Sequence, residues 1–174
     1  MSTSHQHTDR LGQAIGCVLR GGETIALYGS LGAGKTALVR GIAQGLGASP
    51  LAVTSPTFVM IHEYDQGRLP LVHVDLYRIR TARELESTGL TEYFSGLTVT
   101  AIEWADKGRA AMPQDRIEIT LRHRAVRSRT IQLLATGPKS DEILARFRTQ
   151  YSMTRRVHGA SPRQALKRKA TTRS

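Results

Sequence analysis

Apolar residues along the chain follow two kinds of spacing, which predicts a fold that mixes helices with strands. Four apolar residues recur at helical spacing within residues 8–20, and Thr8 is the expected N-cap of that helix. An uninterrupted apolar run at residues 24–28 predicts a buried strand, and helical spacing returns at residues 37–46. A glycine-rich segment separates these last two elements, so the order strand, turn, helix is expected for residues 24–46.

The rest of the chain predicts further strands and two more helices. A turn signal separates the first two of these strands, so we expect them to form a hairpin. The first helix is expected to be interrupted near Gly89, and the second to have Ser140 as its N-cap. The strands are expected at residues 57–64, 69–77, 97–104, 116–121 and 130–134, and the helices at residues 82–95 and 140–150.

The net charge of +11 is unevenly distributed along the 174 residues. Seven of the 25 Lys and Arg residues and none of the 14 Asp and Glu residues lie within residues 155–174, so the rest of the chain carries only +4. Apolar periodicity is also absent there. We therefore expect residues 1–152 to form one domain and residues 153–174 to form a basic, disordered tail. Such a tail indicates contact with nucleic acid less strongly than a basic domain would.

Several classes of protein are excluded by what the sequence lacks. No stretch approaches the roughly 20 apolar residues needed to span a bilayer, so no membrane association is expected. The first ten residues have no apolar core of the kind found in secretory signals. A single cysteine, Cys17, excludes an internal disulfide and a multi-cysteine zinc site. These features predict a cytoplasmic protein.

Residues 29–36 match the phosphate-binding motif G-x-x-x-x-G-K-[ST] at every fixed position. Glycines let successive backbone N–H groups point inward around phosphate oxygens, and the following helix adds its positive dipole end. Lys35 is expected to reach the β- and γ-phosphates, and the Thr36 hydroxyl to bind Mg²⁺. The expected fold is therefore a three-layer α/β P-loop nucleotide-binding fold with a mixed parallel and antiparallel sheet. The residues expected to bind the nucleotide are Gly29, Ser30, Leu31, Gly32, Ala33, Gly34, Lys35 and Thr36.

Two acids stand at the ends of predicted strands, where a phosphate loop needs a second group on the metal side. Asp75 ends the run LPLVHVD, and Glu103 follows the run LTVTAI. The carboxyl ends of parallel strands face the nucleotide crevice in folds of this kind. One acid could hold Mg²⁺ while the other orients or deprotonates the attacking water. Their positions along the strands do not decide which acid has which role.

Residues 55–57, Ser-Pro-Thr, precede a predicted strand at the place where many nucleotide hydrolases keep a segment that senses the γ-phosphate. Thr57 could contact the metal or the γ-phosphate through its hydroxyl or its backbone. Ser-Pro-Thr is also common in ordinary loops. On the sequence alone, an ordinary loop is favoured.

Five segments taken together resemble one family. They are residues 27–47, 55–64, 73–79, 84–94 and 102–104. These segments resemble the TsaE family, the small ATPases of bacterial tRNA threonylcarbamoyladenosine synthesis. The resemblance runs from about residue 8 to about residue 135, and few other loop-containing families have both HVDLYR and IEW. The chain departs from the family at Ser30, Ala37 and Phe58, where the family usually has Asp, Thr and Tyr.

The resemblance implies ATP and Mg²⁺ as ligands, weak hydrolysis by the protein alone, and association with TsaB-like and TsaD-like proteins. That pair transfers threonylcarbamoyl to the adenosine next to the anticodon of tRNA, and the ATPase supports its turnover. By position, the resemblance implies that Lys35 contacts the phosphates, that Asp75 is essential near the γ-phosphate, and that Thr57 belongs to a switch-like segment. It implies Thr36 and Glu103 as the residues on Mg²⁺.

A few other side chains have both a functional and a structural interpretation. A single tryptophan after a strand favours a core role for Trp104, whereas the resemblance places it beside the site. Arg129 could reach phosphate or adenine, but a solvated arginine on an edge strand is favoured. His62 and His73 lack a second ligand type at metal spacing and are interpreted as structural. Cys17 is interpreted as a small core residue of the first helix.

Two other functions are compatible with parts of the sequence. A small-molecule phosphotransferase would share the phosphate loop but needs an acceptor pocket and usually an arginine-rich lid. Residues 122–129, RHRAVRSR, could supply such a lid, although their place between two predicted strands favours a hairpin turn. The other function is a nucleic-acid-binding module that uses the basic tail, for which tRNA is the expected contact. Aromatic residues interleaved with the basic ones would support it, and the tail has none.

Overall fold

The computed structural model describes residues 5–49, 53, 56, 58–125 and 128–158. Thr57 lies outside these ranges, as do residues 159–174, which make up most of the expected tail. The expectations placed on them therefore stay predictions. Within the described ranges, no helix combines the length and the apolar content needed to cross a membrane.

Six strands pair into one sheet, in the order β2-β3-β4-β1-β5-β6. The four central strands are parallel, and the two edge strands are antiparallel to their neighbours. The predicted mixed sheet is confirmed, and so is the hairpin of β2 and β3. The strands are β1 (Thr24–Tyr28), β2 (Ile61–Tyr64), β3 (Leu71–Asp75), β4 (Val99–Glu103), β5 (Ile117–Ala125) and β6 (Ser128–Ala135).

Helices cover both faces of the sheet, which confirms the three-layer architecture. Side chains of β1 alternate between the two cores: Ile25 and Leu27 pack on one face, and Ala26 packs on the other. The first core contains side chains of α1 (His5–Val18), α2 (Lys35–Gly45) and α4 (Pro138–His158). The second contains side chains of α3 (Ala82–Ser87) and of two 3-10 helices, Leu90–Phe94 and Ala105–Ala111.

Helices α1 and α2 pack with their backbones in contact, because each presents two glycines four residues apart. A Cβ added to Gly16 of α1 would lie 2.3 Å from the carbonyl oxygen of Ile42. One added to Gly41 of α2 would lie 2.2 Å from the carbonyl oxygen of Asp9. This contact holds the first turns of α1 beside the helix that follows the phosphate loop.

Two details of the structure differ from the sequence expectations, and a third agrees with them. α1 includes His5, so Thr8 lies inside the helix and is buried, and the expectation that it is the N-cap is wrong. β2 is shorter than predicted because residues 58–60 form a turn, with Met60 in the left-handed region at φ +66. The interruption near Gly89 is confirmed, since α3 ends before it and a 3-10 helix follows.

The hairpin of β5 and β6 is longer than the sequence predicted. The pairing runs from Ile117 opposite Ala135 to Ala125 opposite Ser128. Most of residues 122–129 therefore belongs to paired strands, and Arg122 is paired with Thr130. This placement gives no support to an arginine-rich lid over the phosphates.

Helix α4 begins earlier and ends later than predicted. Its first turn is fixed by Asp115, whose carboxylate accepts hydrogen bonds from the backbone N–H groups of Lys139 (2.8 Å) and Ser140 (2.9 Å). Ser140 is inside the helix, so its expected role as N-cap is wrong. The helix continues to His158, past the domain boundary expected at residue 152.

Candidate functional site

The phosphate loop, residues 29–36, connects the end of β1 to the start of α2. β1 lies between β4 and β5 in the parallel part of the sheet. The loop therefore stands at the carboxyl edge of the sheet, where folds of this class bind nucleotides. Gly34 precedes α2 with φ +100, a left-handed conformation that side chains disfavour. The strand, turn and helix that the motif requires are all present.

Lys35 is folded back onto the phosphate loop. Its ammonium group donates hydrogen bonds to the carbonyl oxygens of Gly29 (2.8 Å) and Ser30 (3.1 Å). The same group lies 3.8 Å from the centroid of the Trp104 ring, a cation–π contact. Trp104 is half-buried: it packs against the second core and also contacts Lys35, so it combines the core role with a place beside the site.

Burial lowers the pKa of the Lys35 ammonium from its ordinary 10.5. The carboxylates of Glu103, Asp75 and Asp106 raise the pKa in opposition but do not cancel the effect of burial. The charged form of Lys35 is therefore incompletely stabilised by the protein itself. A polyphosphate bound to the loop would supply the missing negative charge.

Glu103 is the acceptor at the centre of a buried hydrogen-bonded cluster. The Thr36 hydroxyl donates to its Oε1 at 2.7 Å, and Nε2 of His73 lies 2.9 Å from the same oxygen. Glu103 is 3% exposed and His73 is fully buried. The phosphate loop and the end of β4 are thus joined through one carboxylate.

Asp75 lies beside Glu103, because the two residues are opposite each other in the parallel pairing of β3 and β4. Its Oδ1 accepts a hydrogen bond from the backbone N–H of Tyr77 at 2.8 Å, which fixes the carboxylate at the start of the following loop. The two acids selected from the sequence are therefore brought together at neighbouring strand ends. Thr57, the third expected catalytic residue, lies outside the described residues.

Arg129 and Thr8 also lie against the phosphate loop. The sequence analysis raised such a contact for Arg129 without favouring it, and it did not consider one for Thr8. Arg129 is only 5% exposed, so the solvated edge-strand interpretation is wrong. Its NH1 donates to the Thr8 hydroxyl at 3.4 Å and would be 2.4 Å from a Cβ on Gly34. The sequence does contain a sign of this burial. Alternate residues of a strand face the same side, so Arg129 faces the core together with Ile131 and Leu133 of β6.

An open cleft of about 430 Å³ lies over the phosphate loop. A second cleft of about 810 Å³ adjoins it at Tyr77, with Phe58 on its wall. Phe58 is 81% exposed, and the Arg78 guanidinium lies 4.9 Å from its ring centroid. The walls of the first cleft outside the phosphate loop are Ala37, Arg40, Asp75, Tyr77, Glu103 and Trp104.

The oxygen donors around Glu103 fit Mg²⁺, which prefers hydroxyl, carboxylate and phosphate oxygens with several waters. The Thr36 hydroxyl and the Glu103 carboxylate are already adjacent. Among the described residues, no three His, Cys, Asp or Glu side chains converge into a group that could hold a metal ion. The site can therefore offer a hydroxyl and a carboxylate, and phosphate oxygens and water would have to complete the coordination.

Comparisons with known proteins find relatives of this chain in both sequence and fold. The family model described as "Threonylcarbamoyl adenosine biosynthesis protein TsaE" matches residues 2–131. The Bacillus subtilis protein of that name is 39% identical over 132 residues, which cover 76% of this chain and 82% of that protein. The Treponema pallidum protein is 38% identical over 122 residues, covering 70% and 89%. The crystal structure of Bacillus subtilis YdiB superposes with a TM-score of 0.73 at 31% identity, covering 86% of this chain and 92% of that one.

Proposed function

The chain belongs to the TsaE family of tRNA threonylcarbamoyladenosine biosynthesis, and on that premise we propose that it is an Mg²⁺-dependent ATPase. ATP binds at the phosphate loop, and its hydrolysis supports the transferase that modifies the adenosine next to the anticodon of tRNA. The observation that carries the proposal is the convergence of Lys35, Thr36, Glu103 and Asp75 at the carboxyl edge of the sheet.

Each residue of the site has a role that follows from what it contacts. Backbone N–H groups of the phosphate loop and the Lys35 ammonium bind the phosphates. Thr36 and Glu103 hold Mg²⁺, which when bound neutralises charge on the phosphate oxygens. Asp75, fixed by the Tyr77 N–H, orients the attacking water or the switch-like segment that contains Thr57. Enclosure by Trp104 limits solvent around the ammonium.

The two acids should give different defects when their charge is removed. Glu103→Gln should raise the Mg²⁺ concentration needed for tight ATP binding by about 10- to 100-fold, because it weakens a metal ligand. Asp75→Asn should keep ATP binding and lower the hydrolysis rate by about 10²- to 10⁴-fold, as expected for a group that acts on the water. ATP affinity titrated against Mg²⁺, together with hydrolysis rates, measures both effects.

The opposite pattern has a defined meaning. If Asp75→Asn shows the Mg²⁺ defect and Glu103→Gln does not, the two roles are exchanged. Phosphoryl transfer to small acceptors in place of hydrolysis would instead indicate a phosphotransferase.

Because the family resemblance implies that the protein alone hydrolyses ATP weakly, the rates are measured with and without TsaB-like and TsaD-like proteins. These are the partners that we propose, and tRNA contact through the basic tail is part of the same proposal.

Arg129 should support nucleotide binding through the phosphate loop. Arg129→Met keeps the aliphatic stem but removes the guanidinium that lies against Gly34. We expect ATP affinity to fall about 10-fold, which corresponds to the loss of one charge-assisted hydrogen bond or to an equal cost from a less ordered phosphate loop. Arg122→Met is the matched control, since Arg122 is exposed on the neighbouring strand β5. Equal ATP affinities in the two variants would show that Arg129 does not support nucleotide binding.

A further inference from the structure

His73 occupies an unusual position for a histidine. It stands in the middle of β3, whose five residues are all buried, and its own side chain has no exposed surface. Its neighbours along the strand are Val72 and Val74. A valine or leucine would suit such a position better, because a buried polar group costs free energy unless all its hydrogen bonds are made.

The hydrogen bonds of His73 are only half satisfied. Nε2 lies 2.9 Å from Oε1 of Glu103, and since an ionised carboxylate only accepts, Nε2 carries the donated proton. The other ring nitrogen, Nδ1, is buried and has no hydrogen-bond partner among the described residues. An unsatisfied buried polar atom lowers the stability of a folded protein. His73 is therefore poorly explained as a stabilising residue.

The contact with Glu103 gives His73 a different role. Nε2 of His73 and the Thr36 hydroxyl both donate to Oε1, so neither uses Oε2 of the same carboxylate. Two donors on one oxygen fix the rotation of the carboxylate. Partners that orient a metal-binding carboxylate or imidazole in this way are commonly needed for metal affinity.

We propose that His73 is a positioning residue for the metal site: it holds the Glu103 carboxylate in the orientation that binds Mg²⁺. The inference rests on the proposed function, since it concerns the same metal site. According to this inference, metal binding requires an N–H group that donates to the Glu103 carboxylate from β3. Packing alone would favour an apolar side chain at that position.

Two substitutions separate positioning from packing. His73→Leu removes the donor and keeps an apolar side chain of similar bulk, whereas His73→Gln keeps an N–H near the place of Nε2. The measurements are ATP affinity without Mg²⁺, the Mg²⁺ concentration that half-saturates the gain in ATP affinity, and the unfolding temperature of the nucleotide-free protein. His62→Leu is the matched control, because His62 lies opposite His73 on β2 and bonds Tyr64 instead of Glu103.

We expect His73→Leu to raise the half-saturating Mg²⁺ concentration about 10-fold or more, with ATP affinity in the absence of Mg²⁺ unchanged. Its unfolding temperature should stay close to that of the wild type, because the loss of the unsatisfied Nδ1 offsets the loss of one donor to the buried Glu103 carboxylate. His73→Gln should restore much of the Mg²⁺ response, and His62→Leu should keep all of it.

Three results would overturn the inference. The first is a wild-type Mg²⁺ response in His73→Leu. The second is an equal Mg²⁺ defect in the Leu and Gln variants, and the third is a lower unfolding temperature accompanied by loss of Mg²⁺-free ATP binding. Failure of the proposed function is distinguishable, because it would appear in the wild type as ATP binding that is absent or insensitive to Mg²⁺.

Discussion

Gly16→Ala and Gly41→Ala should each destabilise the protein by at least about 2 kcal/mol, even though alanine is the better helix former. Helix propensity alone favours alanine over glycine by about 1 kcal/mol. Against this, each new methyl group would lie 2.2–2.3 Å from a backbone carbonyl oxygen of the facing helix. Backbone cannot rotate away as a side chain can, so α1 and α2 must separate and lose the packing between them.

The effect is measured as the midpoint of thermal unfolding. For a chain of this size, 2 kcal/mol corresponds to a fall of about 4–8 °C. Gln13→Ala and Cys17→Ala are the controls, because both residues are exposed on α1, the helix that contains Gly16. An unfolding temperature equal to that of the controls would mean that the two helices are not in backbone contact.

The sequence predicted the phosphate loop and the two acids because their signals are local. The loop is a contiguous motif. Asp75 and Glu103 each follow an apolar run that predicts a strand. The β-α-β pattern favours parallel strands, which places both acids at the same edge of the sheet. That they lie side by side depends in addition on β3 and β4 being neighbours, which the sequence did not predict. Element bounds were less accurate where apolar runs continue beyond the paired residues, as in the turn at residues 58–60 before β2.

The missed contacts depend on strand order, which hydrophobic spacing does not encode. Arg129 reaches the phosphate loop because β6 follows β5 outward from β1 and packs beside α1. His73 reaches Glu103 because β3 is next to β4 in the sheet. Cys17 was also placed wrongly. Apolar spacing predicted that it lies in the core, but it is exposed, because α1 turns its glycines toward α2.

Lys35→Met should lower ATP affinity by about 10- to 100-fold, the value of a charged hydrogen-bond donor to phosphate. Methionine keeps the stem that packs beneath Trp104, so the fold and the unfolding temperature should be retained. Lys107→Met is a closely matched control. The Lys107 ammonium also donates to two carbonyl oxygens, of Tyr77 and Ile79, and lies over a ring, 5.4 Å from the Tyr77 centroid. Its loss should leave ATP affinity near that of the wild type.

The pH dependence of ATP binding tests the same assignment independently. Phosphate binding requires the charged form of Lys35, and burial lowers the pKa of this group below its ordinary 10.5. The ammonium therefore loses its proton at a lower pH than an exposed lysine would. ATP affinity of the wild type should be constant well below that pKa and should decline as the pH rises through it. Lys35→Met should show low affinity without this decline, and a decline of the same size in Lys35→Met would place the titrating group elsewhere.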